Sequence, residues 1–318
     1  MAGQPTSHYG QSGLGGLLWD DTPGTSLSTI ELGAALKAAF AATGRKIDLL
    51  YLDACLMGMY EVAYEIKDSV NYLLASASWA WTSFAYDAHL RALKTPQPAD
   101  EIAQMWMQNE ASILRPDNLP FTYSVVDLKQ MDTLKLAIDR LAKSLIVLTT
   151  DEVDRVRIAT AAKATDCFDS NQDIMITQAD TYCDLMSFTR KLNELFAGNA
   201  EVVDAIRNVQ TALPKVVVDK DQQNGKPNRF ASEQWEWDSP GGLAIYLPLR
   251  EDEWKRRYYK NRDDEDGLLF AKDGEWDDFI QLYWGEKEPP DDPPCPPCQV
   301  QPGHLEILQK FYQPILLR

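Results

Sequence analysis

Histidine is nearly missing from this chain: there are three in 318 residues. Chemistry that needs an imidazole must therefore use His8, His89 or His304. No apolar run of about 18 residues occurs, so no segment reads as a helix that spans a membrane. The first residues, MAGQPTSHYGQSG, carry neither a basic n-region nor an apolar h-region and do not read as a signal peptide. Positive charge is short as well, with 31 basic against 48 acidic residues and a formal net charge of −17. Such a surface repels phosphate backbones and anionic lipid, which argues against nucleic acid and membrane surfaces as partners. Cysteine is sparse. The five present (Cys55, Cys167, Cys183, Cys295, Cys298) are odd in number and irregularly spaced, which argues against a disulfide framework.

What is present suits a folded α/β protein. An apolar share of 45% and nine tryptophans supply a core, and the length allows one large domain with an appendage. Ser28-Thr-Ile-Glu31 reads as a capping box opening a helix over about 29–43, stopped by Gly44. Ile47–Leu52 is almost wholly apolar, the pattern of a buried parallel strand. A helix over about 56–67 and a strand from Tyr72 to Ala77 complete a βαβ unit. Helices are expected over 98–114, 128–149 and most of 151–213, with a break near Asn171. Strands are expected at 121–127, Lys215–Val218 and Leu243–Leu249, and a short aromatic helix at Trp276–Trp284. EKEPPDDPPCPPC, from Glu286, is a Pro-rich, solvated linker, and its Cys295-Pro-Pro-Cys298 reads as a hinge before a zinc or redox site.

A thiol becomes a useful nucleophile when it is accessible, close to a base and next to N–H groups that can hold an oxyanion. Cys55 stands where the apolar strand ends and a helix is expected to begin, the edge at which open parallel sheets bind ligands. Unpaired N–H groups at that helix start would lower its pKa. A cysteine beside a buried strand is, against this, commonly a small core residue.

The surrounding run LLYLDACLMGMYEVAYEI (49–66) resembles the signature of the clostripain-like cysteine peptidases, which have the caspase-type fold. Further likeness lies in GGLLWDDTPGTSLSTIEL (15–32), YSVVDL (123–128) and GGLAIYLPL (241–249), and it extends to about residue 284. The resemblance implies an α/β fold: a caspase-like, mostly parallel β-sheet flanked by helices, with a helical insertion. On that reading residues 1–149 form the catalytic core, 150–213 the insertion, 214–285 the rest of the sheet domain and 286–318 a linker and tail. The family's N-terminal strands have no counterpart in the MAGQPTS that precedes His8.

The implied activity is that of a cysteine endopeptidase acting on peptides or proteins after Arg or Lys. The rival is an inactive homologue that binds peptides. Cys55 would be the nucleophile, and His8, upstream as the family requires, its base. The oxyanion would sit between the Cys55 N–H and one near Tyr9–Gly10, although the family usually has Gly directly after the His. Asp53 would lie at the bottom of the S1 pocket and select a cation, its competing role being to cap the following helix. The tryptophans of SASWAWTSFAYD (76–87) would wall that pocket against the stem of a Lys or Arg. His89 is expected to be a surface or packing residue and His304 to lie off the site. Residues 9–36 contain no Lys or Arg, so self-cleavage there is not expected. Some relatives depend on calcium, which leaves Ca2+ open as a cofactor, while Asp263–Asp266 lacks a ligand loop's spacing. Relatives are commonly exported.

Overall fold

The computed structural model describes residues 18–20, 25–81, 85–93, 96–171, 173–227, 233–250 and 267–284. Strands β1 (Leu18–Asp20) and β2 (Thr25–Leu27) pair antiparallel. The capping box forms as expected at the start of α1 (Thr29–Thr43). The Glu31 N–H donates to the Ser28 hydroxyl, the Ser28 N–H donates back to the Glu31 carboxylate at 2.8 Å, and Gly44 ends the helix at φ 65°.

β3 (Ile47–Leu52) and β4 (Val70–Ser76) run parallel and are joined through α2 (Tyr60–Ile66), the expected βαβ unit. After α3 (Tyr86–Ala92) and α4 (Ala99–Leu114), β5 (Phe121–Asp127) joins β4 antiparallel. A 3₁₀ turn, Leu128–Gln130, leads into α5 (Met131–Leu148) and then α6 (Glu152–Lys163). Two short strands follow, β6 (Cys167–Phe168) and β7 (Tyr182–Asp184), then α7 (Leu185–Phe196) and α8 (Ala200–Val216). β8 (Val217–Gln223) closes a sheet of order β3-β4-β5-β8. β9 (Ala244–Tyr246) completes a second sheet, β6-β7-β9, and α9 (Leu269–Asp273) and α10 (Trp276–Trp284) end the described chain.

Side chains alternate across a strand, and the larger sheet uses both faces. Leu74, Phe121, Tyr123 and Val125 pack on Ala103, Met107, Ala111 and Leu114 of α4. Leu73, Ala75 and Val126 belong to the larger core, which takes in α2, α5, α7 and α8. The two sheets are stitched together beside α2. The Ala244 N–H donates to the Gly58 carbonyl at 2.9 Å, and the Tyr246 N–H donates to Glu61 Oε1 at 2.9 Å. Trp276 of α10, fully buried, donates from its indole to the Tyr246 carbonyl at 2.9 Å.

The α/β class and the caspase-like layering hold, and several local expectations change. β3 is not a buried strand: Ile47 and Asp48 are exposed and Leu49–Tyr51 only half-buried, because β3 lies at the edge of its sheet among the described residues. α2 begins at Tyr60 rather than near residue 56, since the chain first turns back on β4. The stretch 151–213 carries two strands among its helices, and α8 runs on to Val216, displacing the strand expected at Lys215–Val218 to Val217–Gln223. Cysteine spacing also misled. Cys167 and Cys183 face each other across β6 and β7 and form a disulfide, brought together by an antiparallel pairing that spacing alone does not reveal.

Candidate active site

β3 delivers Asp53-Ala54-Cys55 to the carboxyl end of the parallel pair, and the next four residues lock that position. Leu56 adopts φ 61°, a conformation uncommon for a residue with a Cβ, and is fully buried. Its N–H donates to the Ser78 carbonyl at 2.9 Å, and the Gly58 N–H donates to the Ser76 carbonyl at 2.7 Å. Gly58 has no room for a side chain, because a Cβ there would lie 2.6 Å from the Ala77 nitrogen. The loop is therefore clamped along the segment that continues β4.

Cys55 is half-buried and is the free cysteine among the described residues. The Ala80 N–H donates to its Sγ at 3.3 Å, and Sγ lies 3.5 Å from the Ala80 carbonyl, to which the thiol donates. Burial pushes the thiol above the ordinary range. The N–H groups of Ala80 and of Cys55 itself pull it down, and the charges of Asp53 and Asp169 add to the rise. The helix assistance expected from sequence does not materialise. α2 starts five residues beyond Cys55, whereas the influence of a helix end fades within its first turn.

Asp53 is partly exposed and does not cap α2, whose N-cap is Met59. The Tyr86 hydroxyl donates to its Oδ2, while Oδ1 is sealed from solvent. Burial raises its pKa, opposed by the Tyr86 and Tyr51 hydroxyls and by His89. Behind it lies a buried polar cluster on the α4 side of the sheet. His89 stacks on Trp106 with ring centres 5.0 Å apart, and its Nε2 lies 3.2 Å from the Trp106 carbonyl and 3.3 Å from Glu110 Oε1. Glu110 also accepts the Ala85 N–H at 3.3 Å. Burial lowers the pKa of His89 and lifts that of Glu110 to about 7. Of the surface and packing roles its context allowed, His89 takes packing.

Trp79 and Trp81, partly exposed, flank Ala80 and stand 5.2 and 6.3 Å from the buried Trp235. With Ala80 they form an aromatic face beside Cys55. Trp235 and Trp237 are core residues. His8, Tyr9 and Gly10 lie outside the described residues, as do Asp263–Asp266, Cys295, Cys298 and His304. Sequence reasoning missed Tyr86, Glu110 and the backbone of Ala80. The aromatic run that precedes Tyr86 was the available signal.

Calcium finds no fitting set among the described residues, where no group of three His, Cys, Asp or Glu side chains could hold a metal ion. The carboxylates of the 169–180 loop are engaged by its own backbone. Asp169 accepts from Ile174, Asp173 from Met175, and Asp180 from Ser170 and Thr177.

The family model described as the clostripain family matches residues 6–284. No curated protein matches the chain. Among solved structures, a B. fragilis cysteine protease is similar over 81% of this chain and 99% of its own, with TM-score 0.54 and 18% identity. A clostripain from Bacteroides thetaiotaomicron, solved in complex with the peptide inhibitor BTN-VLTK-AOMK, is similar over 79% of this chain and 95% of its own, with TM-score 0.51 and 15% identity. A secreted C11 cysteine protease from Bacteroides thetaiotaomicron, in complex with an irreversible peptide inhibitor, is similar over 87% of this chain and 69% of its own, with TM-score 0.54 and 18% identity.

Proposed function

The chain belongs to the clostripain family of cysteine peptidases, and from that premise we propose that it is an endopeptidase that cuts after Arg or Lys through Cys55 and His8. Cys55 Sγ attacks the scissile carbonyl as His8 takes the thiol proton. The tetrahedral intermediate then collapses to a thioester and expels the amine, to which His8 returns that proton. Water, deprotonated by His8, hydrolyses the thioester and frees the thiol. The Cys55 N–H and one from Tyr9–Gly10 hold the oxyanion at both stages.

One observation carries the reading. A free, half-buried thiol and a partly exposed carboxylate two residues before it stand together at the carboxyl end of a parallel βαβ unit, the position at which such sheets bind ligands. The peptide-inhibitor complex of the Bacteroides thetaiotaomicron clostripain supports a peptide as substrate. The test is hydrolysis of chromogenic peptides ending in Arg or Lys. Activity should disappear separately in Cys55→Ala and His8→Ala and fall steeply in Asp53→Asn. Turnover that survives either of the first two substitutions overturns the dyad.

A second reading, an inactive homologue that binds peptides, is favoured by the donation of the thiol to the Ala80 carbonyl and by the raised thiol pKa. Under it, the wild-type protein binds Lys- or Arg-ended peptides without cutting them, and iodoacetamide alkylates Cys55 no faster than a free thiol at neutral pH.

A further inference from the structure

We propose that Tyr86 is a specificity-determining residue that makes the Asp53 pocket prefer lysine over arginine before the scissile bond. The inference rests on the reading of Asp53 as the carboxylate that receives a basic side chain. Of its two oxygens, Oδ2 already accepts the Tyr86 hydroxyl and Oδ1 is sealed from solvent. A carboxylate oxygen can accept two hydrogen bonds, so Oδ2 keeps room for one more donor beside the tyrosine. A lysine ammonium is a compact charge with rotatable donors and is satisfied by one oxygen. A guanidinium binds a carboxylate best through two parallel N–H bonds, one to each oxygen. Arginine must therefore displace the hydroxyl and turn Oδ1 outward, or accept a single bond.

The position of Tyr86 is built into the fold. Its ring stands 6.2 Å from that of His89, nearly one turn along α3. His89, 3% exposed, is stacked on Trp106 and lies 3.3 Å from Oε1 of Glu110, which is 1% exposed. Ala85, just before Tyr86, donates its N–H to the same Glu110 oxygen. α3 is thus tethered to one glutamate of α4 on both sides of Tyr86. His89 and Glu110 are positioning residues: they hold the hydroxyl over Asp53 without touching substrate.

The full chain is assayed with matched fluorogenic peptides that differ only in a terminal Lys or Arg. The same peptides, labelled, are titrated onto Cys55→Ala protein, so that recognition is read without turnover. Lysine should lead by about tenfold, and Tyr86→Phe should bring the two near parity by raising the arginine value. Glu110→Ala, which loosens α3, should move the ratio the same way. Asp53→Asn separates the two levels of the argument. If it leaves basic peptides recognised as before, the role of Asp53 fails and this inference with it. If it abolishes recognition while Tyr86→Phe leaves the ratio unmoved, or if the wild type favours arginine, the role of Tyr86 alone falls. No binding of either peptide overturns both.

Discussion

Glu110 is the most strongly shifted carboxylate near Asp53. Burial on the α4 side of the sheet lifts its pKa from 4.5 to about 7, against the pull of the Ala85 N–H. The folded protein therefore holds a proton there that the unfolded chain releases from about pH 4.5 upward. The resulting stability is complete below 4.5 and is lost as pH rises through 7. Glu110→Gln should remove that loss and stabilise the protein at pH 8 by about 2 kcal/mol relative to wild type, with little difference at pH 4. Urea unfolding of the two at pH 4 and pH 8 checks it, and parallel stability–pH curves would overturn the assignment. None of this was legible in the sequence. Glu110 reads there as one more residue of a helix, and only the approach of α3 and β3 to α4 makes it buried.

The turn between β3 and α2 is the element that makes a site out of a strand end. DACLMG marked Cys55, but the role of its glycine appears only where β4 passes alongside, with the Ser76 and Ala77 backbone against Gly58. Gly58→Ala forces a backbone to yield and should cost about 1–3 kcal/mol. It should also slow alkylation of Cys55, because the clamp that presents the thiol shifts with it. A thermal melt and an iodoacetamide time course read both effects. A variant as stable and as reactive as wild type would show that the clamp is slack. The capping box of α1, by contrast, was fully legible, because Ser28 and Glu31 satisfy each other within a single turn.

Across the whole molecule, the smaller sheet ties the late strand β9 to the chain around α6 and α7, and the Cys167–Cys183 bridge staples two of its strands. The bridge closes a loop spanning 16 residues. In the chain-entropy account a loop of that size is worth about 3 kcal/mol. Reduced protein, or the Cys167→Ser, Cys183→Ser double variant, should lose about that much in denaturant unfolding, and equal stability would remove the bridge from the account. The sequence by itself determined the family, the βαβ unit and the capped start of α1. Each depends on residues a few positions apart, where one turn of helix or the alternation of a strand writes the outcome into the local pattern. The tertiary structure alone decided that Tyr86 caps Asp53, that Ala80 clasps the Cys55 sulfur, and that Cys167 meets Cys183. These partners lie 33, 25 and 16 residues apart in the chain. Contacts at such separations are set by how packed layers close on one another, and that closure leaves no periodic mark in the sequence.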